Sequence, residues 1–191
     1  MDGQPAKILG AGEVRRVLAA ARQRRYPDRN RVMVLLSVKA GLRACEIGRL
    51  TWPMVTSAGG KIGTTLELPA KAAKKGSGRR IPIHADLRRA LEQLRKAGLN
   101  DCRTDTPAVV LSERGGPMTA KAIVDWFGDL FAGLGLKGCS SHSGRRTFVT
   151  RAARLIHKRV GRSAMFSNSP VTDRSRPPKA TSRAMMMPSD G

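Results

Sequence analysis

Ser140 to Thr150 reads SSHSGRRTFVT. Small polar residues come first, and Ser143 or Gly144 then opens a helix that the spacing carries to about His157. His142 falls three residues before Arg145, at the mouth of that helix. Far upstream, AGLRACEIGRLTW sets Arg43 just behind Gly41 and ahead of a short helix. A lone arginine is more often a surface ion-pair partner, and a lone histidine more often a solvent-facing or satisfied one. The combination carries more meaning. Arginine offers planar, bidentate, permanently charged donors that match phosphoryl oxygens better than lysine does. A histidine beside such donors trades protons near neutral pH.

The rest of the chain favours the same kind of partner. The 191 residues suit one domain with a core of its own. Lys and Arg number 36 against 14 Asp and Glu, a formal net charge of +22, which calls for a polyanion, nucleic acid above all. A ribosomal or nucleoid-type protein, or a merely basic surface, is the blander reading of that charge. Four Phe, two Trp and one Tyr are too few for a base-stacking platform, so the expected grip is on the nucleic-acid backbone and weakens with salt. Cys45, Cys102 and Cys139 are odd in number and form no CxxC pair, which supports neither a disulfide framework nor a zinc site. No signal pattern and no run of membrane-spanning length occurs. The expected setting is the cytoplasm, at the nucleoid, with no cofactor, metal, membrane or small-molecule substrate.

Patterning predicts a mainly helical α+β domain. Residues 1–10 read as an unstructured lead, residues 11–158 as the folded domain and residues 159–191 as a disordered basic tail. Helices are expected from Glu13 to about Gln23, from Arg31 to Ala40 with Pro27-Asp28 as punctuation, and over Ala44 to Leu50. Gly41 should cap the second. Met54–Thr56, Ile62–Leu68 and Arg79–Ile83 read as three short antiparallel strands, turned at Gly59-Gly60 and Gly76-Ser77-Gly78. Leu87 to Leu94 returns to helical spacing, Ala108 to Leu111 reads as a short strand, and Thr119 opens a helix to about Phe131.

Three segments together, AGLRACEIGRLTW, the hairpin ending in RRIPIH and SHSGRRTFVT, resemble the catalytic domain of tyrosine recombinases, the phage integrase family. They stand in family order over roughly Gly12 to Lys158. The resemblance implies an integrase-like catalytic fold and four site residues. Arg43 and Arg145 would clamp a scissile phosphate, His142 would be a proton-transfer partner, and Lys74 would be the acid for the departing 5′-oxygen. Lys74 is chosen because it lies five positions before Arg79; Lys71 and Lys75 compete for the role. No metal is implied, because the arginines stabilise the charge. Family members work as tetramers on paired duplexes, so a homo-oligomer on DNA is expected.

Two departures qualify the resemblance. Only about ten residues precede the first helix, where the family usually has a further DNA-binding domain. The Leu-x-Gly-His and tyrosine boxes do not follow, and the one tyrosine, Tyr26, lies upstream of Arg43 as a helix-end residue. Read on the third base of each codon from Ser163 onward, degeneracy permits RDVQQLAGHRSIQTTQSYIEGDDDAQRR, which carries Leu-Ala-Gly-His and a following tyrosine. A frameshift near His157 or Lys158 is therefore expected. The functional expectation is a DNA recombination and integration protein that binds and clamps but has lost its nucleophile, and so is inactive alone. The alternatives are a non-catalytic DNA-binding regulator derived from an integrase, and a basic RNA-associated protein. Loss of the final boxes should also leave an apolar helix face, with Phe148, Val149, Ala152 and Leu155, uncovered.

Overall fold

A computed structural model describes residues 5–72, 78–99 and 107–166. Among the described residues, six α-helices and a small antiparallel sheet make a mainly helical α+β fold. The chain divides into two units, Met1–Leu155 and Ile156–Gly191, and of the second only the end of the last helix is described.

Helix α1 spans Ala11–Gln23 and starts where Gly10 N–H donates to Glu13 Oε2 at 2.7 Å. Val14, Val17 and Ala21 form its buried stripe. Helix α2 spans Pro27–Ala40. It begins earlier than the apolar run suggested. Pro27 occupies the first helical position, where its missing N–H would have had no intrahelical partner anyway, so the Pro-Asp pair starts the helix instead of interrupting it. Val32, Met33, Val34, Leu35 and Leu36 are all at most 1% exposed, so α2 is the central helix, covered on every side. Gly41 ends it in the left-handed region, φ 64°.

Helix α3 spans Ala44–Gly48, and a 3-10 turn, Trp52–Met54, follows. Strands β1 (Thr65–Leu68) and β2 (Arg79–Pro82) pair antiparallel, Thr65 opposite Pro82 and Leu68 opposite Arg79. Among the described residues the sheet has two strands, not the expected three. The segment before it closes on itself. Ser57 N–H donates to Lys61 O at 2.8 Å and Gly63 N–H to Val55 O at 2.9 Å, which leaves the single bridge Thr56–Ile62 where a third strand was expected. Gly60, φ 73°, makes that turn. Ala108 to Leu111 is likewise no strand. Its ends bridge different partners, Ala108 to Thr51 and Leu111 to Pro117, so no ladder forms.

Helix α4 spans Ala85–Leu99 and buries Leu87 and Leu91. Helix α5 spans Ala120–Gly133, capped by the Thr119 hydroxyl, which accepts from Ala122 N–H at 3.2 Å. Helix α6 spans Ser143–Phe166, well past the expected end at His157. The lead ahead of α1 has no regular structure over Pro5–Gly10, yet it is tied down. Leu9 is buried, its N–H donates to Thr147 Oγ1 at 2.8 Å, and Lys7 N–H donates to Gly138 O at 2.9 Å. Of the expected apolar face on α6, Val149 and Leu155 are 51% and 66% exposed, while Phe148 and Ala152 are half-buried. No described helix is long and apolar enough to cross a membrane.

Candidate active site

The site grows from the end of α2. The left-handed turn at Gly41 stops the helix and reverses the chain, so Arg43 emerges in extended backbone one residue before α3. Glu46, the third residue of that helix, reaches back to accept the Arg43 N–H at 2.9 Å, the reciprocal half of a capping box. Its carboxylate has no exposed surface. Arg43 donates to Oε1 at 3.2 Å, and Arg79 from β2 donates through both terminal nitrogens, at 3.0 Å to Oε1 and 2.8 Å to Oε2. Burial pushes the Glu46 carboxyl upward. The Arg79 and Arg43 hydrogen bonds and the two guanidinium charges outweigh it and bring the pKa down to about 2.

Arg145 enters from the first turn of α6. It donates to the carbonyl oxygen of Gly41 at 2.5 Å, two residues before Arg43. Burial lowers its pKa, the Arg43 and Arg79 charges lower it further, and Glu46 opposes them. Three guanidiniums from α6, β2 and the α2–α3 turn therefore feel one another around a single buried carboxylate. Positive charge exceeds negative by two, and Arg43 and Arg79 keep 31% and 28% of their side-chain surface exposed. Such an arrangement favours an incoming anion, which would relieve the mutual repulsion.

Of the four expected residues, the structure brings Arg43 and Arg145 within electrostatic reach of each other. His142 is exposed at the foot of α6, where its N–H donates to Ser140 Oγ at 3.3 Å and its carbonyl accepts from Arg146 N–H at 3.0 Å. Lys74 and its rival Lys75 lie outside the described residues; Lys71 is exposed on the turn after β1. Among the described residues no cluster of His, Cys, Asp or Glu is arranged to hold a metal ion.

Glu46 and Arg79 were missed as site residues. Both carried a signal. In a strand, Arg79 shares a face with Ile81, which is buried, so an inward arginine was to be expected two residues before it. Glu46 is the one acid in a helix otherwise made of small and apolar residues, Ala44 to Gly48, and an acid in that setting needs a partner.

The phage integrase family matches residues 7–160. The chain belongs to that family. Solved structures agree in fold. XerA recombinase superposes with a TM-score of 0.64 at 20% identity, covering 79% of this chain and 52% of that one. The Tn1549 transposon integrase in complex with transposon right end DNA gives 0.62 at 20% identity, covering 81% and 55%. A lambda integrase dimer bound to a COC′ core site gives 0.60 at 18% identity, covering 94% and 52%. The chain thus spans about half the length of each of these integrases. A search of curated proteins finds no match.

Proposed function

We propose that this chain binds double-stranded DNA in the manner of a site-specific recombinase and clamps one scissile phosphate between Arg43 and Arg145. The observation that supports this most is the excess of guanidinium charge around buried Glu46, which favours an anion at the mouth of the α2–α3 turn. His142 would exchange protons at that phosphate, and Lys74 would protonate the departing 5′-oxygen. In the wider chemistry a tyrosine hydroxyl attacks the phosphorus, a 3′-phosphotyrosyl bond forms, and the 5′-oxygen leaves with a proton. Arg43 and Arg145 would stabilise the charge that builds on the non-bridging oxygens.

This chain is poorly placed to supply the attacking group itself. Its one tyrosine, Tyr26, caps the start of α2, while Gly41 caps the end beside the clamp. At 1.5 Å per residue the two ends of that helix are about 20 Å apart. The Arg25 and Arg29 guanidiniums also stand over the Tyr26 ring, 4.9 and 4.5 Å from its centroid. We therefore propose binding without cleavage by this chain alone, on DNA at the nucleoid and alongside further copies. The same observation supports the second reading, a DNA-binding regulator derived from an integrase. The stretch after Lys158 is read as out of frame on sequence pattern alone, and the gene's nucleotide sequence tests it.

The test is fluorescence anisotropy with duplex DNA across a salt series, beside a nicked suicide substrate. Expected are tight binding that falls steeply with salt, weakening in Arg145→Ala, and no covalent adduct. An adduct on this chain would refute the loss of the nucleophile. Binding indifferent to Arg145→Ala would refute the clamp.

A further inference from the structure

The first turn of α6 is seated on the last turn of α2 with unusual closeness. A Cβ built on Gly144 would overlap the Ser37 hydroxyl oxygen, with Ser37 Cβ at 2.8 Å and the Ser37 carbonyl carbon at 3.2 Å. One turn further along both helices, a Cβ on Gly41 would overlap the Phe148 ring, with Cγ at 3.0 Å. Gly41 lies four residues after Ser37, and Phe148 four after Gly144, so the two contacts lie along matching ridges. Between them Arg145 donates to the Gly41 carbonyl oxygen. The Ser37 hydroxyl is buried and has no hydrogen-bond partner among the described residues. It occupies the space that a side chain at position 144 would need.

We infer that Ser37 and Gly144 form a size-matched seat that fixes the rotation of α6 about its axis and so sets Arg145 against Arg43; both are positioning residues for the phosphate clamp. The inference rests on the clamp reading above. Its physical basis is leverage. Arg43 follows Gly41 by two residues and Arg145 follows Gly144 by one, so any displacement at the seat passes directly into the separation of the two guanidiniums. A misplacement of about 1 Å in positioning groups can cost a reaction about a hundredfold in rate, and binding through the same groups should weaken in the same direction. The close approach of Ser37 to position 144 makes the volume of its side chain the property that acts.

The experiment measures binding of the full chain to a mixed-sequence DNA duplex at low salt, with Ser37→Ala and Gly144→Ala each made in the native chain and in Arg145→Ala. Arg145→Ala alone should weaken binding about tenfold, the range of a charge-assisted hydrogen bond. Ser37→Ala should weaken it about threefold where Arg145 is present and have no further effect where it is absent. Its thermal midpoint should hold or rise, a separation of binding from stability that a merely structural role would not give. Gly144→Ala should weaken binding about tenfold with Arg145 present, and Ser37→Gly added to it should recover most of that, because the nearest remaining atom is then backbone at 3.2 Å. If Gly144→Ala does not fold, Ser37→Ala still decides the question. Equal losses in the Arg145 and Arg145→Ala backgrounds would overturn the seat and leave the clamp standing. An Arg145→Ala chain that binds as well as one lacking an exposed lysine such as Lys121 would overturn the clamp and the seat with it.

Discussion

Arg79 and Arg80 are neighbours in one short strand, and each holds a glutamate. Arg80 meets Glu67 across the sheet at 2.6 Å, with 77% and 59% of the two side chains exposed. Arg79 meets Glu46 at 2.8 Å, with 28% and 0% exposed. The longer contact is the more consequential one. Water screens the outer pair and already satisfies both partners, so its net value is about 0–1 kcal/mol. The inner carboxylate has lost its water, and each guanidinium bond replaces a solvent contact that cannot return. Bond length says little about which pair holds the fold; the medium around it decides.

Glu46→Gln should have the largest effect, because it leaves three arginines facing one another with no counter-charge. We expect a loss of about 3–5 kcal/mol in urea unfolding, the usual result of removing one member of a buried ionic cluster. Acid should produce a related loss. Glu46 titrates near 2 when folded and has an ordinary value of 4.5. Its contribution is therefore complete above about pH 4.5 and disappears as the pH falls toward 2, for a total on the order of 3 kcal/mol. Following stability against pH in the native chain and in Glu46→Gln checks this, since the variant should lack that share of the acid loss. Arg79→Ala should cost less, about 2 kcal/mol, because Arg43 still holds the carboxylate. Ser37→Ala should raise stability by up to about 1 kcal/mol, since it removes a buried hydroxyl with no partner among the described residues. Arg80→Ala should change stability by less than about 0.5 kcal/mol. If Arg79→Ala and Arg80→Ala proved equal, the contrast between the two pairs would fail.

The elements most legible in the sequence were those with a physical stop signal. Gly41 ended α2 because only glycine takes φ 64° there without strain. Thr119 opened α5 because its hydroxyl satisfies a free N–H. The reading failed where residue type misled about local bonding. β-rich residues suggest a third strand, but Val55 and Ser57 spend their backbone bonds within their own loop. Pro27 suggests a break because proline usually is one, yet at the first helical position it costs nothing. In the site, the spacing of His142 and Arg145 and the turn before Arg43 stood out because each is local. Glu46 and Arg79 lie 33 positions apart in sequence, and nothing local shows that they meet.

The sequence alone determined the family, the central apolar helix, the two arginine-bearing turns and the basic character that suits a polyanion. The family came from the resemblance that three motifs carry; the others follow from residue type and short-range spacing, which backbone geometry translates directly. Tertiary structure decided which arginine faces a buried acid and which faces water, how the lead anchors to α6, and why position 144 has no room for a side chain. Those are facts about distances between segments far apart in the chain, and only the closing of the core sets them.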